Sequence, residues 1–255
     1  MNLVIWQTIY ILGGIAILPF APFLYLQSKY VRRKIGRLPD AEGATRGTTG
    51  VENAIGNTAA DAERKSVKLL VLGESTAAGV GARTHETALA GQFAKFLSRR
   101  IGKSVEWQVI GKSGITVAET IAELVPKIPA ENFDYILLAL CGNEVLKLRS
   151  PRTFRRDMLK LFDILLAANP QATVFVTNAP AVRLSPVLPH PIKFILGHLS
   201  ALHDKNIRQF SAPLPQILYF PQPNEVVEDF FADGIHPSEK GYTLWSEKMI
   251  ETLLK

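Results

Sequence analysis

The sequence contains very little cysteine: Cys141 is the only one among 255 residues. A single cysteine excludes an internal disulfide and any zinc site built from several cysteines. The histidines at positions 85, 190, 198 and 203 do not pair with carboxylates at spacings typical of metal ligands, and surface or packing roles are expected for them. We therefore predict no metal.

Several nucleotide-binding and nucleic-acid-binding signatures are also missing. The Gly-Lys-Ser of residues 111–113 lacks the earlier glycine of a P-loop, since that position is Glu106. The Gly-Val-Gly of residues 79–81 lacks the third glycine of a dinucleotide fingerprint. The formal charge is +6, but no module of interleaved aromatic and basic residues accompanies it. We predict no nucleic-acid partner.

Charge is absent from the N-terminal run between Leu3 and Leu26, which is long enough to span a bilayer. No basic residue precedes this run, and a cluster from Lys29 to Arg37 follows it. A cleaved signal peptide usually shows the reverse order, so the pattern favours a membrane anchor. By the positive-inside rule, the segment after the run would lie in the cytoplasm.

Three regions follow from these patterns. Residues 1–28 are predicted to be a transmembrane anchor, and residues 29–66 a basic flank with a flexible linker that has no apolar periodicity. Residues 67–255 are predicted to form one folded domain. Nothing in the sequence indicates its oligomeric state.

Within residues 67–255, short apolar strands alternate with amphipathic helices. This alternation predicts an α/β fold, a three-layer sandwich with a five-stranded parallel sheet. The expected strands are Lys68–Leu72, Val105–Ile110, Tyr135–Leu140, Thr173–Thr177 and Gln216–Phe220. The expected helices are Glu86–Ile101, Val117–Lys127, Arg152–Ala168, Ile192–Phe210 and Ser238–Leu254. The apolar, proline-containing segment 184–199 has three interpretations: a lid or acyl-binding wall, packing against the sheet, or contact with a membrane.

The two most informative residues are a serine and a histidine at opposite ends of this domain. Ser75 follows the first strand in Gly-Glu-Ser-Thr, where parallel sheets place their ligands. His236 lies in Asp-Gly-Ile-His-Pro, three residues after Asp233, close enough for the carboxylate to orient the imidazole. A serine that attacks, a histidine that accepts its proton and an aspartate that holds the histidine would form a catalytic triad.

Attack on an ester carbonyl also requires donors for the oxyanion, and two later strand ends offer them. Gly114 follows the second strand, and its backbone can approach closely and present its N–H. Asn143 follows the third strand and carries a side-chain amide. In a parallel sheet, both positions lie on the same edge as Ser75. No Gly-x-Ser-x-Gly surrounds Ser75, so the nucleophile elbow of α/β-hydrolases is absent.

Ser75, Gly114, Asn143 and His236, in this order, resemble the four blocks of the SGNH (GDSL-type) hydrolase family. The resemblance spans about residues 67–255 and implies a flavodoxin-like sandwich that needs no cofactor. It implies Ser75 as nucleophile, His236 as base and Asp233 as its partner. Gly114, Asn143 and the Ser75 N–H would form the oxyanion hole. The chain departs from the family pattern at Glu74 and Glu144, where aspartate is usual, and these longer side chains could rearrange the supporting hydrogen bonds.

Together with the predicted N-terminal anchor, the resemblance implies a membrane-attached serine esterase that acts on an acyl-ester small molecule or lipid. Two alternatives stay open. The same residues could act on a carbohydrate as an O-acetyl esterase or acyltransferase, or the chain could be a catalytically silent binding module. The sequence does not define acyl chain length or head group.

Overall fold

The computed structural model describes residues 3–50 and 66–254, which form an N-terminal apolar helix and an α/β domain. The N-terminal elements are α1 (Leu3–Ile17), a 3₁₀ turn (Leu18–Phe20) and α2 (Ala21–Ile35), which continue one another. Together they form a 33-residue helix that is long and apolar enough to cross a membrane.

The domain is built on a six-stranded sheet in the order β1-β3-β2-β4-β5-β6. The strands are β1 (Arg46–Thr49), β2 (Val67–Gly73), β3 (Val105–Gly111), β4 (Tyr135–Ala139), β5 (Thr173–Val176) and β6 (Ile217–Tyr219). The helices are α3 (Leu89–Ile101), α4 (Val117–Glu123), α5 (Gly142–Leu146), α6 (Pro151–Ala168), α7 (Ile192–Ser211) and α8 (Glu239–Leu253). The five predicted strands all form, and they pair in parallel.

The predicted three-layer architecture is confirmed, because residues alternate across the sheet to fill two cores. On one face, Leu70 and Leu72 pack with side chains such as Phe154 of α6 and Phe210 of α7. On the other face, Leu69 packs with side chains of α3 and α8 such as Phe93 and Tyr242. Strands buried on both faces read as continuous apolar runs, which is why their positions were visible in the sequence.

The sixth strand corrects the prediction of a five-stranded sheet and of an uninterrupted flexible linker. β1 lies inside the segment predicted as linker, and it pairs antiparallel with β3. Gly47 allows this pairing because a Cβ there would lie 2.3 Å from the Trp107 ring. The Trp107 indole N–H also donates to Thr49 Oγ1 at 3.1 Å. Backbone hydrogen bonds at the sheet edge hold β1, and these do not require apolar side chains. The strand therefore leaves no apolar periodicity in the sequence. The rest of the predicted linker, residues 51–65, lies outside the described residues.

The chain between α2 and β1 follows the carboxyl edge of the sheet. Asp40 accepts a hydrogen bond from Ser113 Oγ at 2.7 Å, and the Ala41 N–H donates to the Ala78 carbonyl at 2.9 Å. The N-terminal helix is therefore joined to the domain by an ordered segment that passes the loops following β2 and β3.

Candidate active site

Ser75 lies in the tight turn that follows β2. Gly73 ends the strand where a Cβ would lie 2.1 Å from the Ala139 carbonyl oxygen, so only glycine permits this approach to β4. The Val80 N–H donates to the Ser75 carbonyl at 3.0 Å and closes the turn. Ser75 is thus held at the carboxyl edge of the sheet, next to its central strands.

His236 and Asp233 lie in the loop before α8. Asp233 Oδ1 accepts the backbone N–H groups of Ile235 and His236 at 2.8 and 2.7 Å. Gly234 has φ +85°, which lets the loop turn between them. These bonds leave the second carboxylate oxygen free to face the imidazole of the same loop.

The structure brings the three predicted catalytic side chains into contact. His236 Nε2 lies 3.0 Å from Ser75 Oγ, and His236 Nδ1 lies 2.8 Å from Asp233 Oδ2. Burial alone would raise the pKa of Asp233, but the hydrogen bonds from His236 and Ile235 outweigh it and the pKa is lowered. Asp233 is therefore ionised at neutral pH and can orient the imidazole with Nδ1 protonated.

Gly114 and Asn143 follow β3 and β4 at the same sheet edge. Gly114 has φ +82°, and nothing would lie within 4 Å of a Cβ built there. The loop containing Gly114 begins at Gly111, where a Cβ would lie 2.6 Å from the Ala78 backbone N, so this loop packs closely on the Ser75 turn. Asn143 lies in the first turn of α5, directly after β4.

Glu74 connects the nucleophile turn to the Asn143 loop, a role that the sequence did not reveal. Its Oε2 accepts the Asn143 backbone N–H at 2.8 Å and also one hydrogen of the Asn143 side-chain amide. Its Oε1 accepts the Gly142 N–H, and a Cβ at Gly142 would lie 2.7 Å from that oxygen. The extra methylene of Glu74, relative to aspartate, lets the carboxylate reach the next loop. The only sequence signal for this role was glutamate at position 74, where the family usually has aspartate.

Glu144 is the second departure, and it connects α5 to α4. Glu144 is buried, its Oε1 accepts the Val117 N–H at 2.8 Å, and its Oε2 lies 3.6 Å from Arg149 Nε. Burial raises the pKa of Glu144. The carboxylate therefore holds the start of α4 against the Asn143 loop.

The start of the 184–199 segment packs against the loop that carries Asp233 and His236, the catalytic loop. Leu196, later in the same segment, packs against the core on one face of the sheet. Ser185 Oγ donates to the Gly234 carbonyl at 2.7 Å, and a Cβ at Gly234 would lie 2.5 Å from Val187. A cavity of about 480 Å³ lies between this segment, the end of α2 and the catalytic loop. Its lining includes Ile35, Leu38, Pro186, Val187, Phe231 and Asp233.

His203 takes a structural position. His203 is buried, packs edge-to-face on Phe154 and lies 3.1 Å from the Arg149 carbonyl through Nε2. Burial lowers the pKa of His203 to about 4, so the ring is neutral near pH 7. Within residues 3–50 and 66–254, no group of three His, Cys, Asp or Glu side chains could hold a metal ion.

We expect Glu74 to make stability depend on pH. Burial, with the nearby Glu144 charge, raises the pKa of Glu74 from 4.5 to about 7, against the opposing effect of its N–H donors. Between these values the folded chain retains a proton that the unfolded chain has lost, so the contribution of Glu74 to stability falls as the pH rises. As the pH rises through both pKa values, the free energy of unfolding should fall by on the order of 3 kcal/mol because of Glu74.

The measurement is urea unfolding at pH 5 and pH 8 for the wild type, Glu74→Gln and the exposed control Glu228→Gln. The wild type and the control should lose stability relative to Glu74→Gln as the pH rises. A pH-independent difference between the wild type and Glu74→Gln would contradict the raised pKa.

The family model described as "GDSL-like Lipase/Acylhydrolase family" matches residues 71–244. The chain therefore belongs to the GDSL-like lipase/acylhydrolase family, as the resemblance predicted, and it is an enzyme that hydrolyses ester bonds.

Solved structures share this fold at low sequence identity. TesA is 21% identical, with a TM-score of 0.57 over 74% of this chain and 98% of its own. Phospholipase A1 from Streptomyces albidoflavus is 14% identical, with a TM-score of 0.53 over 73% and 99%. A family 3 carbohydrate esterase from Clostridium thermocellum is 18% identical, with a TM-score of 0.53 over 73% and 94%. No curated protein sequence matches the chain significantly.

Proposed function

We propose that the chain is a serine esterase in which Ser75 is the nucleophile, His236 the general base and Asp233 the residue that orients the base. The observation that carries this proposal is the 3.0 Å contact between His236 Nε2 and Ser75 Oγ, with Asp233 on the other ring nitrogen. A hydroxyl becomes an effective nucleophile when a neighbouring base accepts its proton as it attacks.

The reaction proceeds in two halves. Ser75 Oγ attacks the ester carbonyl while its proton passes to His236 Nε2, and a tetrahedral oxyanion forms. As it collapses, the ester C–O bond breaks and His236 protonates the departing alcohol, leaving an acyl group on Ser75. Water then attacks this acyl-enzyme with His236 again as base, which releases the acid and restores the hydroxyl.

The proposed oxyanion donors are the Ser75 and Gly114 backbone N–H groups and the Asn143 amide. A primary amide carries two N–H donors. Glu74 accepts one from Asn143, which orients the amide and leaves its second hydrogen for the substrate. The pre-oriented donor needs little rearrangement when charge develops on the substrate oxygen.

We expect Asn143→Ala to lower kcat by about 10²–10³-fold, because it removes one oxyanion donor while Ser75 and His236 stay in contact. The exposed Asn224→Ala is the matched control and should hydrolyse a nitrophenyl ester like the wild type. A loss of kcat below about 3-fold for Asn143→Ala would show that Asn143 is not an oxyanion donor.

The proposed substrate is an acyl ester of a membrane lipid, met at the cytoplasmic face. Three features support this choice. The apolar N-terminal helix ends at the cavity beside the catalytic loop. Apart from Lys34 and Asp233, that cavity is lined mainly by apolar residues. The basic residues at the helix end favour an anionic leaflet. The alternative, an O-acetyl esterase or acyltransferase acting on a carbohydrate, is supported by the carbohydrate esterase that shares the fold.

The test is a panel of nitrophenyl esters from acetyl to palmitoyl, with a lysophospholipid, assayed on the full chain in vesicles. We expect kcat/KM to rise with acyl length and the lysophospholipid to be cleaved. Turnover of acetyl esters alone would favour the carbohydrate alternative, and transfer of the acetyl group to an added alcohol would identify an acyltransferase.

A further inference from the structure

The N-terminal helix presents one stripe to the domain. Its less exposed residues recur every three or four positions, as expected for one side of a helix, except between Ile17 and Leu24, where the 3₁₀ turn and the start of α2 are exposed. They are Leu3, Trp6, Gln7, Tyr10, Gly13, Ile17, Leu24, Gln27, Ser28, Val31 and Ile35. Trp6 and Val31 are only 6% and 7% exposed, although 25 positions separate them. The stripe thus extends along the whole helix.

Polar side chains on this stripe bind the domain at both ends of the helix. Near the start, the Trp6 indole N–H donates to Gln209 Oε1 at 3.3 Å, and Gln7 Oε1 accepts the Arg152 N–H at 3.2 Å. Near the end, Gln27 donates to the His190 carbonyl at 2.8 Å and accepts the Ile192 N–H at 3.3 Å.

These contacts place the helix antiparallel to α7. Trp6 packs on Leu199 and Leu202, and the Lys205 Nζ lies 5.8 Å from its ring centre. Between the partners Gln209 and Ile192, α7 extends about 25 Å, close to the thickness of the hydrocarbon core. The helix therefore lies beside the domain along most of its length.

A docked helix of this kind cannot also cross a bilayer. If it stood perpendicular to the membrane, α7 would stand beside it at the same depth. Lys205 and the neighbouring Arg208 would then enter hydrocarbon, where charged side chains are expensive.

The opposite face of the helix is apolar and exposed. Its most exposed members are 61–70% accessible: Leu12, Ile15, Leu18, Phe20, Leu26, Val4 and Tyr30. Basic residues follow in the last turn of α2, namely Arg32, Arg33 and Lys34. An apolar face flanked by cations matches the hydrocarbon–headgroup boundary of an anionic bilayer.

We propose that the Leu3–Ile35 helix lies in the plane of a lipid bilayer surface, docked on α7, with its exposed apolar face in the membrane. The chain is then attached to one leaflet and crosses neither. Its N-terminus and its catalytic loop lie on the same side, and the end of α2 holds the active-site edge close to the headgroups. This arrangement is independent of which ester is cleaved.

Spin-label depth measurements on the full chain in phosphatidylcholine–phosphatidylglycerol vesicles test the orientation. Leu12→Cys and Leu26→Cys place labels on the exposed face, and Lys248→Cys on α8 gives the aqueous reference. The native Cys141 is buried, so the unsubstituted chain controls for background labelling. We expect labels 12 and 26 at equal, shallow depth.

Two outcomes would overturn the proposal. A steep helix would separate labels 12 and 26 by up to about 20 Å in depth, because the two positions are 14 residues apart. A second copy covering this face would shield both labels from lipid-soluble oxygen. Protease digestion of sealed vesicles gives an independent readout: N-terminal and C-terminal tags should be cleaved in equal fractions, whereas a spanning helix protects one when the other is exposed.

Discussion

Replacing Ser75 with alanine is expected to lower kcat by about 10⁶-fold and to abolish covalent labelling by a fluorophosphonate probe. The magnitude follows from removing the nucleophile of a unit whose members act together, so that neither His236 nor the oxyanion donors can compensate. The side chain lies at the sheet edge, so the fold should persist. Labelling and ester hydrolysis are measured on the same preparation.

Ser104→Ala is the matched control, since Ser104 precedes β3 at the opposite end of the sheet. It should label and hydrolyse like the wild type. His236→Ala should lose turnover to a similar degree, because it removes the imidazole that contacts the Ser75 hydroxyl and accepts its proton. Wild-type turnover in purified Ser75→Ala would show that hydrolysis occurs through another group.

The second large effect is expected for Asp233→Asn, which should lower kcat by about 10⁴-fold with little change in KM. Asparagine can retain the backbone hydrogen bonds of Oδ1, so the loop should keep its shape. However, its amide would donate to His236 Nδ1, which stabilises the tautomer that has Nε2 protonated. That tautomer cannot accept the Ser75 proton.

Asp229→Asn is the matched control, because Asp229 precedes the same loop with a side chain that is 78% exposed. It should retain activity. The pH profile separates orientation from structure: Asp233→Asn should stay slow across the range where the wild type is active, with an unchanged unfolding midpoint. A loss smaller than about 10-fold would exclude Asp233 as the orienting residue.

The parallel strands could be predicted because strands that are buried on both faces consist of continuous apolar runs. The helices between them could be predicted from their apolar stripes. β1 could not, because Arg46–Thr49 is held by backbone hydrogen bonds to β3 at the sheet edge. Residues of almost any type can make such bonds, so they leave little trace in the sequence. The one residue that the strand requires is Gly47, because a larger side chain there would collide with the Trp107 ring.

The candidate site also has features that the sequence predicted and features that it did not. The order of Ser75, Gly114 and Asn143 after three consecutive strands, with His236 in the last loop, was sufficient to propose their convergence, since parallel strands end at one edge. The function of Glu74 was not visible, because its partners at positions 142 and 143 are 68 and 69 residues away. The Val187 contact with Gly234 was equally hidden, because it joins two irregular segments that no periodicity describes.

By itself, the sequence determined the family, the sheet and the presence of an apolar N-terminal helix, because these depend on residue types in local patterns. Only the tertiary structure decided that Ser75 and His236 are in hydrogen-bonding contact, that Glu74 orients Asn143, and that the helix packs along α7. These outcomes depend on distances between remote segments, which are set by the packing of the whole domain rather than by any stretch of chain.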